Sequence, residues 1–278
     1  MTEQEWLASK DPIAMLDWVM QLHFRPSDRK LRLVACACSR LDARGKNHLE
    51  AIEAVETHAD GHDIDLNPHS NWTIASPEYS PARMLSYLLT DAGFVGKGKQ
   101  IADILRDIIG NPFQPVTLPL GETIPCKACS VFRGADDDFM TFKVACNVCR
   151  NSGRVVGPSP VLTPLVLQLA EAVYTVRTGT GTLDNDVLAV LSDALEEAGL
   201  PERVAFLTCD DAGKHRHSGR AGEVIHGVLH DCIPWVAHHH HDEKCQILSK
   251  PNPILAHLRE PGPHYRGCWA VDLLLGKE

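Results

Sequence analysis

Four cysteines, Cys126, Cys129, Cys146 and Cys149, form the pattern C-x2-C-x16-C-x2-C inside the stretch CKACSVFRGADDDFMTFKVACNVCRNSGRV. Two residues between thiols let one tight turn aim both sulfurs at a common centre. Two such turns supply the four thiolates that structural zinc prefers. The sixteen-residue spacer suits a small hairpin, with FMTFKVA as a strand and Asp136 to Asp138 at its solvated tip. Four thiolates around one Zn2+ leave about two negative formal charges, and Lys127, Lys143, Arg150 and Arg154 lie close in sequence to offset them. A redox dithiol of the thioredoxin kind needs a βαβ setting, which neither pair has. Iron–sulfur ligation and plain packing of small thiols are the other readings. Four protein ligands leave no open coordination position, so the expected zinc is a staple.

A second group could also bind metal. On a helix over RAGEVIHGVLHDC, Glu223, His226 and His230 would fall at i, i+3 and i+7, on one face. A carboxylate and two imidazoles would leave a position for water, the arrangement of a metal-dependent hydrolase. The bland alternative is a polar helix face beside the histidine run His238 to His241. Other candidates read as structure. HADGHDID (58–65) is a helix end followed by a polar loop. GFVGKGK (93–99) lacks the Ser or Thr of a phosphate loop, and RTGTGT (177–182) is a helix–helix connection. Cys36, Cys38 and Cys268 sit on apolar helices as buried, inert thiols.

The elements that must position these groups are helical almost throughout. Thr2 with Glu5 forms a capping box, and Asp11 before Pro12 starts IAMLDWVMQLH. Ser27 opens DRKLRLVACACSRLDARG, whose Leu31, Val34, Ala35 and Cys38 share a face. Further helices run through NHLEAIEAVETHADG, SPARMLSYLLTDAG, KQIADILRDIIGN, TPLVLQLAEAVYTVR, LDNDVLAVLSDALEEAG and ILAHLRE. In the closing PHYRGCWAVDLLLG, the residues Cys268, Trp269, Val271, Leu274 and Leu275 are expected to pack on the body, against the Leu31–Val34–Cys38 face. Prolines recur at 111–125 and 157–160, the necks of an insertion. The only strands expected are short ones beside the cysteines.

The chain of 278 residues is long enough for a sizeable core, with 44% hydrophobic and 23% charged residues. Its net charge of −9 disfavours a broad nucleic-acid footprint. MTEQEWLASKDP has no basic and apolar leader pattern, so the cytoplasm, where thiols stay reduced, is the expected location.

The unit CNVCRNSGRV resembles the C-x-x-C-x-G-x-G unit of the DnaJ-type cysteine-rich domain, with Asn151 in the first glycine's place and Gly153 in the second's. A zinc-ribbon description fits equally well. MTEQEWL, SDRKLRLVACACSRL, GNPFQPVTL, LTPLVLQLAEAVY, LSDALEEAG and ILAHLREPGPHYRGCWAVDLLLGKE together resemble a paralogue-rich, uncharacterised family of bacterial proteins. That resemblance implies a shared helical body with variation concentrated in insertions. It carries no activity or catalytic residues.

The expectation is therefore a mainly α protein with a small inserted zinc-ribbon-like β-hairpin module. Residues 1–120 and 158–278 form the body, residues 121–157 form the module, and a His/Cys-rich insertion spans about 200–252. One structural zinc is expected at the four cysteines, with a second metal as a lesser possibility. The leading role is non-catalytic, with another protein as partner. The alternatives are the hydrolase at Glu223, His226 and His230 and, more weakly, a nucleic-acid-binding zinc protein. Replacing Cys126 or Cys149 with Ser should release the zinc and loosen 121–157 while most helical circular dichroism survives. Unchanged zinc content would defeat the ligand assignment, and global unfolding would defeat the separable module.

Overall fold

The computed structural model describes residues 1–22, 25–42, 46–66, 80–90, 94, 96–114, 116–119, 121, 123–125, 154–156, 159–178, 180–209, 224–225, 228–230 and 245–277. Helices dominate them. The first part contains α1 (Glu3–Ala8), α2 (Pro12–Met20), α3 (Asp28–Arg40), α4 (Lys46–Ala59), α5 (Pro81–Thr90) and α6 (Gly98–Ile109). The second contains α7 (Pro164–Thr175), α8 (Asn185–Glu197), α9 (Pro253–Leu258) and α10 (Trp269–Leu275). Among the described residues, no helix is long and apolar enough to cross a membrane.

The helix starts follow their local chemistry. The Thr2–Glu5 capping box forms in both directions, at 3.2 and 2.6 Å. Asp11 accepts from the amides of Ile13 and Ala14, with Pro12 in the first turn. Thr163 and Asn252 repeat this arrangement ahead of Pro164 and Pro253.

Two apolar clusters share the work of burial. The first is built around α3, which packs against α4, α5 and α6. Leu33, Cys36 and Ala37 are buried as well as the expected Leu31, Val34, Ala35 and Cys38. Every residue from Leu33 to Ser39 is buried, so this part of α3 lies at the centre of the bundle instead of on one side of it. The second cluster joins α7, α8, α9 and α10 through Val166, Val173, Leu188, Leu191, Ile254, Leu258 and Val271. The closing helix belongs here, which corrects its expected docking on the Leu31 face. Cys268, Val271 and Leu274 are buried in the second cluster, and Trp269 and Leu275 are half-buried against it. Gly267, just ahead of this helix, does approach α3: a β-carbon there would stand 2.7 Å from Leu33 Cδ1, and its φ of +91° suits glycine.

Strands form two sheets among the described residues. β1 (Thr123–Pro125) pairs antiparallel with β2 (Arg154–Val156), Thr123 opposite Val156. β3 (Arg203–Cys209) pairs antiparallel with β6 (Cys245–Pro251), Arg203 opposite Pro251 and Cys209 opposite Cys245. β5 (Val228–His230) lies parallel to β3, and β4 (Val224–Ile225) turns back on β5. Of the helix expected over RAGEVIHGVLHDC, the described residues 224–225 and 228–230 are strand, which corrects the expectation there. Val224, Ile225 and Val228 are β-branched, and the β3 edge supplies a ladder partner that outweighs a weak helical period broken by Gly227. The β3–β6 pair also corrects the expectation that strands occur only beside the four cysteines.

Buried ion pairs tie the clusters together. The Asp272 carboxylate, fully buried on α10, accepts from Arg29 at 2.5 and 3.0 Å and from the Tyr174 hydroxyl. Arg29 also donates to Asp60 at 2.9 and 2.7 Å, and Arg266 reaches the other Asp60 oxygen at 2.6 Å. Arg40 grips Glu56 in a two-bond fork at 3.1 and 3.0 Å, and Arg177 joins from the second part. Burial pushes the Asp60 carboxyl upward, yet the charge of Arg266 and the bonds from Arg29 hold it below its ordinary 3.8.

A depressed carboxylate contributes stability above its unfolded value and loses it as pH falls through the folded one. Asp60→Asn should cost about 3–5 kcal/mol near neutral pH, since it takes the carboxylate from Arg266 and one of two acids from Arg29 in a largely buried site. The penalty should shrink as pH drops below the ordinary Asp value. Denaturant melts at several pH values check this, and a pH-independent penalty would contradict it.

Candidate metal centre

Asp107, His257, His264 and Cys268 converge where α6 meets the C-terminal stretch, and their ligand atoms all lie within 4.8 Å of one another. This group could hold a metal ion.

Each residue is delivered by a different local device. Asp107 projects from the buried side of α6, one turn after Ile104. His257 lies on the six-residue α9, started by Asn252 and Pro253 and stopped before Pro261-Gly262-Pro263. Those prolines cannot continue a helix, so the chain folds back. Gly262 N–H then bonds the Glu260 carbonyl at 2.8 Å. His264 returns to the cluster, pinned by its own carbonyl accepting from Leu183 N–H at 2.8 Å. Cys268 is the N-cap of α10.

Asp107 is the hub. Its Oδ1 lies 2.7 Å from His264 Nδ1 and 3.1 Å from His257 Nε2, and its Oδ2 accepts the Tyr265 N–H at 2.8 Å. His257 Nε2 also lies 3.2 Å from Cys268 Sγ. The imidazoles meet edge to face with centroids 4.8 Å apart, and His257 lies 4.9 Å from the Trp269 ring. Asp107, His264 and Cys268 are buried, and the His257 side chain is 14% exposed.

The electrostatics follow from this crowding. Burial raises the Asp107 carboxyl, but hydrogen bonds from both imidazoles outweigh it and leave it lowered. Burial lowers His264, while the bond to Asp107 and its charge bring it above 6.5. The Cys268 thiol is pushed well above its ordinary value by burial and by the Asp107 charge, against the Val271 and Ala270 amides. His264 Nε2 is 3.1 Å from the Glu260 carbonyl, which can only accept, so that nitrogen carries hydrogen. Its Nδ1 faces a carboxylate. Either the ring is an imidazolium or a cation stands between Nδ1 and its neighbours.

A Cys–His–Asp nucleophile does not fit these positions. In such a relay one ring nitrogen meets the nucleophile and the other meets the carboxylate. Here Cys268 and Asp107 both approach Nε2 of His257. The thiol is fully buried with a raised pKa, the opposite of an activated cysteine.

The groups singled out from sequence lie elsewhere. Cys126, Cys129, Cys146 and Cys149, Glu223 and His226, and His238 to His241 lie outside the described residues. His230 ends β5. Its neighbours are strands, so the helical i, i+3, i+7 spacing that grouped it with Glu223 and His226 is not the local geometry. Cys36 and Cys38 are buried as expected, with the Cys38 thiol raised to about 12 by burial. Cys268 is buried too, but it faces histidine and not only hydrocarbon. Sequence reading missed Asp107, His257 and His264. The signal that could have found them was H-x6-H-x3-C in HLREPGPHYRGC, a mixed donor set astride a Pro-Gly-Pro turn. The fourth member lies 150 residues upstream of His257.

In comparisons with protein-family models, curated proteins and solved structures, nothing matches this chain.

Alkylation of the folded chain followed by peptide mapping should leave Cys268 unmodified until denaturant is added. Labelling of Cys268 at the rate of an exposed cysteine in the folded protein would contradict the buried, unactivated thiol.

Proposed function

We propose that this chain is a non-catalytic zinc-binding protein, located in the cytoplasm, whose helical body displays inserted modules for another protein to bind. The zinc-ribbon-like module at 121–157, with Cys126, Cys129, Cys146 and Cys149 as ligands, is the leading interaction element. In this reading the body is the one shared with the paralogue-rich bacterial family that the sequence resembles, and the insertions give the chain its own partner.

The observation that supports this reading is the pairing at the two necks. β1 and β2 close the ends of the cysteine stretch in register, Thr123 to Val156. β3 and β6 do the same for the His/Cys-rich stretch, Arg203 to Pro251. At the base of the second neck Asn252 N–H bonds the Glu202 carbonyl at 2.7 Å, and its side-chain amide bonds Pro201 at 3.0 Å. A segment that leaves and returns at one point can vary without disturbing the packing beneath it. The hydrolase reading draws on a helical spacing of Glu223, His226 and His230, whereas the described residues 224–225 and 228–230 are strand. The nucleic-acid reading stays disfavoured by the charge of −9.

Excising 126–153 and joining β1 to β2 through a short Asn-Gly turn tests this reading. The excised chain should lose one zinc equivalent, keep its helical signal and melt cooperatively. Proximity labelling in the native cell should lose the neighbour protein that the full chain labels. Collapse of the helical body, or an identical set of labelled neighbours, would overturn the proposal.

A further inference from the structure

We propose that Asp107, His257, His264 and Cys268 are the ligands of a buried zinc ion inside the helical body, separate from the four-cysteine module.

The donor set selects the metal. One carboxylate oxygen, two imidazole nitrogens and one sulfur suit zinc and disfavour calcium or magnesium, which take oxygen ligands. Zinc bonds of about 2.0–2.3 Å place tetrahedral ligands roughly 3.3–3.7 Å apart. The observed separations of 2.7, 3.1 and 3.2 Å, with none above 4.8 Å, bracket that range. Small side-chain rotations would bring all four ligands to it.

The hydrogen-bond demand at His264 points the same way. Its Nε2 is committed as a donor to the Glu260 carbonyl, so the neutral ring presents a lone pair at Nδ1, towards the cluster. Ligating histidines are held in this way, with the far nitrogen donating to a backbone carbonyl. A cation at the centre satisfies the Nδ1 lone pair, Asp107 Oδ1, His257 Nε2 and Cys268 Sγ together.

Charge balance agrees. One carboxylate and one thiolate neutralise Zn2+ in formal count, and a neutral assembly is the kind that a buried site tolerates. Four protein ligands leave no place for substrate, so the ion is structural. Its position explains what it would hold together. Asp107 comes from α6 of the first cluster, while the other three ligands belong to the stretch that closes the second. The zinc clamps that closing stretch to the first cluster.

Zinc content of the purified full-length chain tests the site, with His238 to His241 replaced by Ser to remove adventitious binding. Two equivalents per chain are expected, falling to one in Cys268→Ala and to one in Cys126→Ser/Cys129→Ser. Combining all three substitutions should leave none. A single zinc lost in Cys268→Ala and kept in Cys126→Ser/Cys129→Ser would uphold this site and overturn the four-cysteine module. A single zinc with the reverse dependence would overturn this site and leave the module standing. Asp107→Asn, nearly isosteric, serves as the second variant if Cys268→Ala does not fold. Unchanged zinc in a folded variant of either kind would overturn the proposal.

Discussion

The carboxylate of Asp107 is the constraint around which the C-terminal stretch is arranged. Buried charge is tolerated only when it is matched. The groups gathered around this one come from more than a hundred residues downstream: two imidazoles and the Tyr265 amide. Meeting that demand dictates where α9 must stop, why the Pro-Gly-Pro turn must fold back, and why Gly267 must pass close to Leu33. Removing the carboxylate would leave polar groups facing hydrocarbon on both sides.

The same logic recurs at Asp272 and Asp60, where arginines from α3 and from the closing stretch share two acids. Such pairs add little net stability compared with well-packed hydrocarbon, but breaking one side of them is expensive. They join the element that centres the first apolar cluster to the stretch that closes the second. The necks make the opposite choice. β1–β2 and β3–β6 are backbone ladders whose pairing places few demands on what lies between them.

Helix starts were legible because capping is local: Thr2–Glu5, Asp11–Pro12, Ser27, Thr163–Pro164 and Asn252–Pro253 all act within a few residues. Helix partners were less so. An apolar stripe such as Val271 and Leu274 says that a face is buried, not against which cluster. Around 224–230 the three-residue and four-residue spacings match a helix, whereas the β-branched Val224, Ile225 and Val228 lie in strands whose partner, β3, starts some twenty residues earlier. The metal-type cluster was illegible for a related reason. Three of its members sit within twelve residues but match no familiar spacing, and the fourth is delivered by tertiary packing. Asp60 looked like the polar end of HADGHDID, yet two distant arginines make it part of the interior.

The most direct test of the buried ion is the zinc K-edge fine structure of the full-length chain carrying Cys126→Ser, Cys129→Ser and Ser in place of His238 to His241. The expected result is a four-coordinate shell of one sulfur and three nitrogen or oxygen neighbours, with imidazole scattering beyond it. A shell without sulfur, a shell dominated by sulfur, or no bound zinc would contradict the claim that a buried ion joins Asp107, His257, His264 and Cys268.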